Sequence, residues 1–517
     1  MNGAESLVHT LADSGITLCL GNPGTSEMHF VAALGCEPRL RGVLCLFEGV
    51  AAGAADGYAR MTGKPAATLL HLGPGFANAV SALHNARKAA SPVVNIVGDH
   101  ATTHAQYDQA PLSSDIMGIC APVSHWLHRS MDPRDVARDG ARAVQAARTA
   151  PGEIATLVLP ADMAWSEADG PVPPLQVTGP KPVESATIDR IAAALQTGKR
   201  TALLLRGPCL QAAGVEAAGR IAHKSGARLF HDYFTPRLTR GHGLTAIERL
   251  PYFAEEIIAF LQGLEQIVLV GAPPPVTFFA YPGLPSWVTP EGCALLTLAE
   301  PQEDSVAALT ALAEVLDARQ PGPLVRRVLP DLPRPGALNA DSMGAIIARL
   351  MPDEAIICDD SLTAGGGLQK SLPSGPRHDW LALTGGAIGG APVNATGAAL
   401  ACPGRKVIAV SGDGAMMYSL QALWTMAREK LDVVTIICAN HSYNILNIEL
   451  SRVGALNPGP KTLAMLDLHN PELDFVKLAQ GLGVEASRAA TTQDFAAQFA
   501  DAMASRGPRL IEAVILP

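Results

Sequence analysis

The sequence predicts an α/β protein built from three doubly wound parallel-sheet domains. Three observations carry that expectation. At roughly 150 residues per domain, 517 residues make about three units. Hydrophobic residues make up 48% of the chain and charged residues 17%, too apolar a balance for disorder and enough to fill several cores. Finally, short apolar runs alternate with helical ones along the whole chain, interrupted by two Pro-dense stretches at 166–185 and 320–340. Those stretches read as linkers and give domains 1–168, 185–322 and 338–517.

In the first domain an amphipathic helix opens the chain, and strands are expected at 15–20, 42–47, 66–71 and 92–97. Helices at 49–61 and 77–89 separate them. The middle domain offers strands at 201–205, 228–230 and 266–270. The last offers strands at 355–358, 406–410 and 433–439, with a helix at 418–429. Alternation with short connections argues for parallel sheets, in which ligands bind beyond the carboxyl ends of strands. The scarcity of aromatics (5%) beside 49 glycines suits small-residue helices packed closely on buried strands.

Several classes are excluded. Lys and Arg total 39 against 48 acids, with no basic block, so no nucleic acid partner is expected. The least polar window, 381–400, is broken by Gly, Pro and Asn and cannot span a membrane. Residues 1–20 lack the basic-then-apolar order of a signal peptide. The nine cysteines are scattered, form no Cys-x-x-Cys pair and sit largely in apolar runs, as reduced thiols of a cytoplasmic protein would.

The strongest local signal lies in the last domain. The strand at 406–410 ends in Ser411-Gly412-Asp413-Gly414, and the strand at 433–439 ends in Asn440-His441-Ser442. One βαβ crossover separates them, which sets Asp413 and Asn440 side by side. A carboxylate and an amide oxygen are hard ligands suited to Mg²⁺ with a phosphate-bearing ligand. Gly412 and Gly414 let backbone approach a diphosphate, and the following helix N-terminus favours negative charge. Gly-Asp-Gly by itself reads first as a tight turn with a capping Asp, and Asn440 at the end of the next strand is what shifts the reading.

Gly412-Asp413-Gly414, twenty-five intervening residues and Asn440 together resemble the Mg²⁺–thiamin diphosphate signature of thiamin-dependent enzymes. The run 415–425 is similar to the acetolactate synthase and benzoylformate decarboxylase branch. The resemblance implies that Asp413 and Asn440 give side-chain oxygens and Ser442 a backbone carbonyl to Mg²⁺. Gly412, Gly414 and Ala415 would line the diphosphate, with Leu362 and Thr363 adding an amide and a hydroxyl. Gly385-Gly386-Ala387-Ile388 looks like the turn that keeps the cofactor bent, with Ile388 under the thiazolium and the Gly386 carbonyl at the 4′ nitrogen. Ile445 would wall the pocket, and Glu449 either joins it or faces solvent. His441 departs from the small residue of many relatives.

The chemistry also needs an acid at N1′ of the aminopyrimidine. Glu48 follows the apolar run 43–47 and opens a small-residue helix. Capping that helix would be its ordinary role, but residues 47–60 resemble the glutamate helix of the family. In that family the glutamate and the metal motif of one site come from different subunits, which implies a homodimer or homotetramer with active sites at the interface. Thr25, in Gly21-Asn22-Pro23-Gly24-Thr25-Ser26-Glu27, stands where benzoylformate decarboxylase has a substrate-facing serine. His71 matches an active-site histidine, although a strand-terminal histidine is more often structural.

The middle domain shows no Gly-x-Gly-x-x-Gly and no match to the flavin loop of acetolactate synthases, and it is read as a spacer. A second histidine of benzoylformate decarboxylase would fall near Phe278 or Phe279, where this chain is aromatic. The reading reached is a thiamin diphosphate- and Mg²⁺-dependent 2-oxo acid decarboxylase and carboligase. The alternative is a lyase of 2-hydroxy ketones or 2-hydroxyacyl thioesters. A dinucleotide-dependent dehydrogenase fits less well, because residues 73–78 lack the last fingerprint glycine.

Overall fold

The computed structural model describes residues 1–104, 106–455 and 457–515. Helix α1 (Gly3–Asp13) starts at a capping box in which Asn2 and Glu5 exchange hydrogen bonds of 2.9 and 2.8 Å. Six strands follow: β1 (Leu18–Asn22), β2 (Arg41–Leu44), β3 (Ala66–Leu70), β4 (Val93–Asp99), β5 (Trp126–Arg129) and β6 (Ile154–Pro160). They form one sheet in the order β2-β1-β3-β4-β6-β5, with every pairing parallel. Between them run α2 (Glu48–Thr62) and α3 (Leu72–Ala89).

The next part carries β7 (Thr201–Leu205), β8 (Arg228–His231), β9 (Leu238–Arg240), β10 (Glu248–Arg249), β11 (Gln266–Val270) and β12 (Ala294–Ala299). The last carries β13 (Ala355–Asp360), β14 (His378–Ala382), β15 (Val407–Gly412), β16 (Val433–Ala439), β17 (Glu485–Ala489) and β18 (Arg509–Val514). The second sheet runs β10-β8-β7-β11-β12 and the third β17-β18-β16-β15-β13-β14-β9. The sheets are therefore parallel with one exception. Strand β9 leaves the second unit and pairs antiparallel with β14, Leu238 opposite Trp380. Residues 166–184 and 320–339 run without helix or strand and touch their surroundings through single bridges such as Asn2 with Glu167 and Ala337 with Thr491.

Apolar burial joins the three units. Leu203, Ile221 and Val268 share a cluster with Met343, Ile357 and Ile408, while Val50, Phe76 and Leu83 share another with Val393, Ala398 and Met426. The second contact is made by α2 against α4 (Gly390–Ala401), two helices of mostly small residues. A Cβ on Gly57 would overlap the Asn394 carbonyl, and one on Gly397 would overlap that of Ala54. Only glycine allows the two backbones to approach so closely.

Inside this contact lies an ion pair. The Arg60 and Asp56 side chains are each 1% exposed and paired at 2.6 Å, with Ser91 and Asn394 completing the Asp56 shell.

No helix among the described residues is long and apolar enough to cross a membrane. Most cysteines are buried, and burial pushes the thiols of Cys19, Cys45, Cys120 and Cys209 up to about 12, so these four are not ready nucleophiles.

Candidate active site

The carboxyl edge of the first sheet assembles a polar cluster. Phe47 is extended and Glu48 begins α2, which buries its carboxyl beside the first strand and α3. Asn78 donates to Oε2 at 2.9 Å and Asn22 to Oε1 at 3.3 Å. His71, just beyond β3, is three-quarters buried and shares a 2.8 Å hydrogen bond between Nδ1 and Glu27. Glu27 is itself 3% exposed and accepts from the Gly24 amide at 2.7 Å and from the Ser26 hydroxyl at 2.6 Å. The bond to Glu27 fixes the imidazole ring and leaves Nε2 as the nitrogen available for other work. Thr25 stands exposed at the head of the same turn.

Glu27, Asn22 and Asn78 were not singled out from the sequence. Glu27 closes the motif 21–27, so its signal was present but unassigned. Asn78 sits nearly two helical turns inside α3, where a lone amide carries no recognisable pattern.

At the third sheet, β15 and β16 are neighbours, with Gly412 opposite Cys438. Asp413 and Asn440 consequently leave adjacent strand ends. Asp413 is buried and accepts from the Gly414 amide at 2.8 Å and the His441 amide at 2.6 Å. Burial raises its carboxyl above the usual range, against the opposing pull of those amides. Asn440 Oδ1 accepts from the Ser442 amide at 3.1 Å. The main chain turns sharply here, with His441 at φ +55°.

Leu362 and Thr363 lie in the short 3-10 turn after β13, and Ile445 is half-buried on α5 (Asn444–Arg452). Glu449 on α5 is half-buried and accepts from the Tyr281 hydroxyl at 3.0 Å. An open apolar groove of about 540 Å³ follows α5 past Leu446, Leu450 and Met465, but neither Asp413 nor Glu48 lines it.

Gly386 and Ile388 lie on the turn between β14 and α4, with Gly386 at φ +76°. Ile388 lines a small cavity of about 100 Å³ together with Phe47, Gly49 and Asn78, the neighbours of Glu48. Over Gly386 stands Phe278, whose ring tip would lie 2.8 Å from a Cβ placed there. Phe278 belongs to an aromatic group with Phe234, Tyr252 and Phe279, at centroid distances of 4.5 to 5.6 Å. The expected site residues thus fall into two groups on one chain: Glu48, His71 and Thr25 on the first sheet, and the remainder on the third.

Residues 1–132 match the N-terminal TPP binding domain of thiamine pyrophosphate enzymes, and residues 367–513 match the C-terminal one. A Mycobacterium tuberculosis protein provisionally named acetolactate synthase large subunit IlvX is 47% identical, over 100% of this chain and 99% of its own length. The chain belongs to the thiamin diphosphate enzyme family. Benzoylformate decarboxylase of Pseudomonas aeruginosa is 30% identical over 96% of each chain. A solved structure, the thiamine diphosphate-dependent 4-hydroxybenzoylformate decarboxylase of Rhodococcus jostii RHA1, superposes with a TM-score of 0.88 at 26% identity, covering 100% of this chain and 99% of that one. Like other thiamin diphosphate enzymes of this group, the chain is a carbon–carbon bond lyase or transferase.

The residues fit the cofactor of the thiamin diphosphate family. Space in front of Gly412 is open, since a Cβ there would meet nothing nearer than Ala415 at 3.9 Å. Asp413 and Asn440 each keep an oxygen lone pair beyond the amides they now accept. Among the described residues no three His, Cys, Asp or Glu side chains converge on a metal position. A set of one carboxylate, one amide and one carbonyl needs no such cluster, and it suits a hard cation that keeps waters and phosphate oxygens.

Proposed function

We propose that this chain is a Mg²⁺- and thiamin diphosphate-dependent 2-oxo acid decarboxylase and carboligase of the acetolactate synthase type. The observation that carries the reading is the pairing of Asp413 with Asn440 at adjacent strand ends, in a chain that also buries Glu48 between two amide donors. Asp413, Asn440 and the Ser442 carbonyl would hold Mg²⁺. Gly412, Gly414, Ala415, Leu362 and Thr363 would receive the diphosphate.

When bound, thiamin diphosphate supplies the electron sink that allows a 2-oxo acid to lose CO₂. The protein supplies geometry and proton traffic. Glu48, fixed by Asn22 and Asn78, holds a proton at pyrimidine N1′. Ile388 and Gly386 would support the cofactor from the turn between β14 and α4. His71, its ring set by Glu27, presents Nε2 to the substrate oxygen and moves a proton there. Thr25 offers an exposed hydroxyl to the substrate carboxylate. Phe278 carries no proton, so this wall of the pocket selects by shape and favours apolar acyl groups.

On this reading the two groups of residues come from different subunits at each site, in a homodimer or homotetramer working in the cytoplasm. Proton NMR of the protein with thiamin diphosphate, Mg²⁺ and a panel of 2-oxo acids, pyruvate and benzoylformate included, tests it. A 2-hydroxy ketone or aldehyde formed with loss of CO₂ supports the proposal. If every 2-oxo acid survives while the cofactor is bound, the decarboxylase reading fails, and cleavage of 2-hydroxy ketones or 2-hydroxyacyl thioesters takes its place.

A further inference from the structure

The turn between β14 and α4 has no ladder of its own. Residues 384–389 are neither helix nor strand, and Gly386 and Gly389 take φ of +76° and +89°. Thr384 and Gly389 are buried and the residues between them half-buried, so the amides and carbonyls withdrawn from water need partners from elsewhere. Those partners come from two sides.

Asn85, 5% exposed near the end of α3, reaches across from the first unit. Its Oδ1 accepts from the Gly385 amide at 3.1 Å and the Ala387 amide at 3.2 Å, and its Nδ2 donates to the Ala387 carbonyl at 2.8 Å. The Thr384 hydroxyl donates to the Asn85 carbonyl at 2.6 Å, and His84 Nε2 lies 3.0 Å from the Gly385 carbonyl. From the third sheet, Asp360 Oδ2 accepts from the Gly389 amide at 2.9 Å and the Ala391 amide at 3.2 Å, while the Ser419 hydroxyl donates to the Gly389 carbonyl at 2.8 Å.

The bonds follow a pattern. Residues 385, 387, 389 and 391 are gripped, and the alternate residues Gly386 and Ile388 receive none of these bonds. Among the described residues, the Gly386 carbonyl and the Ile388 backbone therefore stay free while their neighbours on either side are held. We infer that Asn85, seconded by Asp360 and Ser419, is a positioning residue that clamps one side of this turn and so presents Gly386 and Ile388 to the cofactor. This rests on the proposed cofactor roles of Gly386 and Ile388. Asn85 holds the turn from a helix of the first unit, while Asp360 and Ser419 hold it from the third. The shape of the cofactor-facing turn is thereby set by the packing of α3 against it.

The test compares full-length wild type with Asn85→Ala and Ser419→Ala, each titrated with thiamin diphosphate in saturating Mg²⁺ by calorimetry. Near-ultraviolet circular dichroism of the bound cofactor is recorded in parallel, and thermal midpoints of the cofactor-free proteins control for folding. Asn85→Ala is expected to weaken cofactor binding tenfold or more and to change the dichroism of the bound cofactor. Ser419→Ala, which loses a single bond, is expected to move both readings the same way by threefold or more in affinity. Interdomain glue alone would lower the thermal midpoint without altering affinity or dichroism. Folded Asn85→Ala with wild-type affinity and dichroism overturns the inference. Should Asn85→Ala not fold, wild-type values in Ser419→Ala overturn it. Failure of the wild type itself to bind thiamin diphosphate would refute the proposed function first, and the inference with it.

Discussion

Replacing Arg60 with methionine should destabilise the protein by about 3–5 kcal/mol, the usual cost of stripping one partner from a buried pair. Arg60 donates to Asp56 through Nε at 2.8 Å and Nη2 at 2.6 Å, with both side chains 1% exposed. It also donates to the Ala382 carbonyl at 2.7 Å and to the Thr384 hydroxyl at 2.9 Å. Methionine roughly fills the volume but leaves Asp56 facing only Ser91 and Asn394, both neutral, and leaves a buried carbonyl with one donor fewer. At ~2–4 °C per kcal/mol for domains of this size the midpoint should fall by about 10 °C. Thermal unfolding followed by far-ultraviolet circular dichroism measures it. The double variant Asp56→Leu/Arg60→Met should recover part of the loss, because the damage lies in the orphaned charge. A fall of less than about 2 °C in the single variant would refute the reasoning, as would a double variant worse than the single one.

Other consequences follow from the same geometry. Burial pushes the Asp360 carboxyl up to about 6 from an ordinary 3.8. The folded state then binds this proton more tightly than the unfolded chain, so its contribution turns against folding as pH rises from about 4 to 6 and costs about 3 kcal/mol above that. Cofactor-free Asp360→Asn should therefore gain stability over wild type at pH 7.5 and gain less at pH 5; the opposite trend in thermal midpoints contradicts the assignment. His71→Ala should lower turnover by about 10²-fold or more while leaving cofactor affinity within a few-fold, and full activity in steady-state assays would return His71 to a structural role. Phe278→Ala should open the space above Gly386 and shift kcat/KM toward bulkier 2-oxo acids by roughly tenfold, the scale of small changes in pocket size; an unchanged ratio of benzoylformate to pyruvate would remove Phe278 from the pocket.

Legibility in the sequence depended on where each signal was written. Apolar runs bounded by polar residues placed β7, β11 and β16 with their observed ends. The first strand was expected at 15–20 and lies at Leu18–Asn22, because Gly21 and Asn22 continue the ladder against Leu69 and Leu70 although neither is apolar. The helix expected at 418–429 forms only over Ala422–Arg428. Tyr418 and Ser419 pack on Gly389 instead, where the Ser419 hydroxyl donates to its carbonyl. Strand β9 was invisible because three residues with Thr and Arg among them carry no period, and pairing with β14 alone makes it a strand.

The same limit governs the site. Asp413, Asn440 and Glu48 stand in local motifs at strand and helix ends, where chemistry and spacing coincide. Glu27, Asn78 and Asn85 act through partners tens or hundreds of residues away, and Asn85 reaches its turn across 300 residues. No local pattern encodes such a contact. It emerges only when α3 is laid against the β14–α4 turn.

The central claim is that Asp413 anchors a metal-bound diphosphate. Calorimetric titration with thiamin diphosphate, in the presence and absence of Mg²⁺, of wild type and Asp413→Ala tests it most directly. Wild type should bind in a strictly Mg²⁺-dependent manner, and Asp413→Ala should lose at least a hundredfold in affinity while unfolding at a similar temperature. Undiminished, Mg²⁺-dependent binding by a folded Asp413→Ala protein would contradict the account.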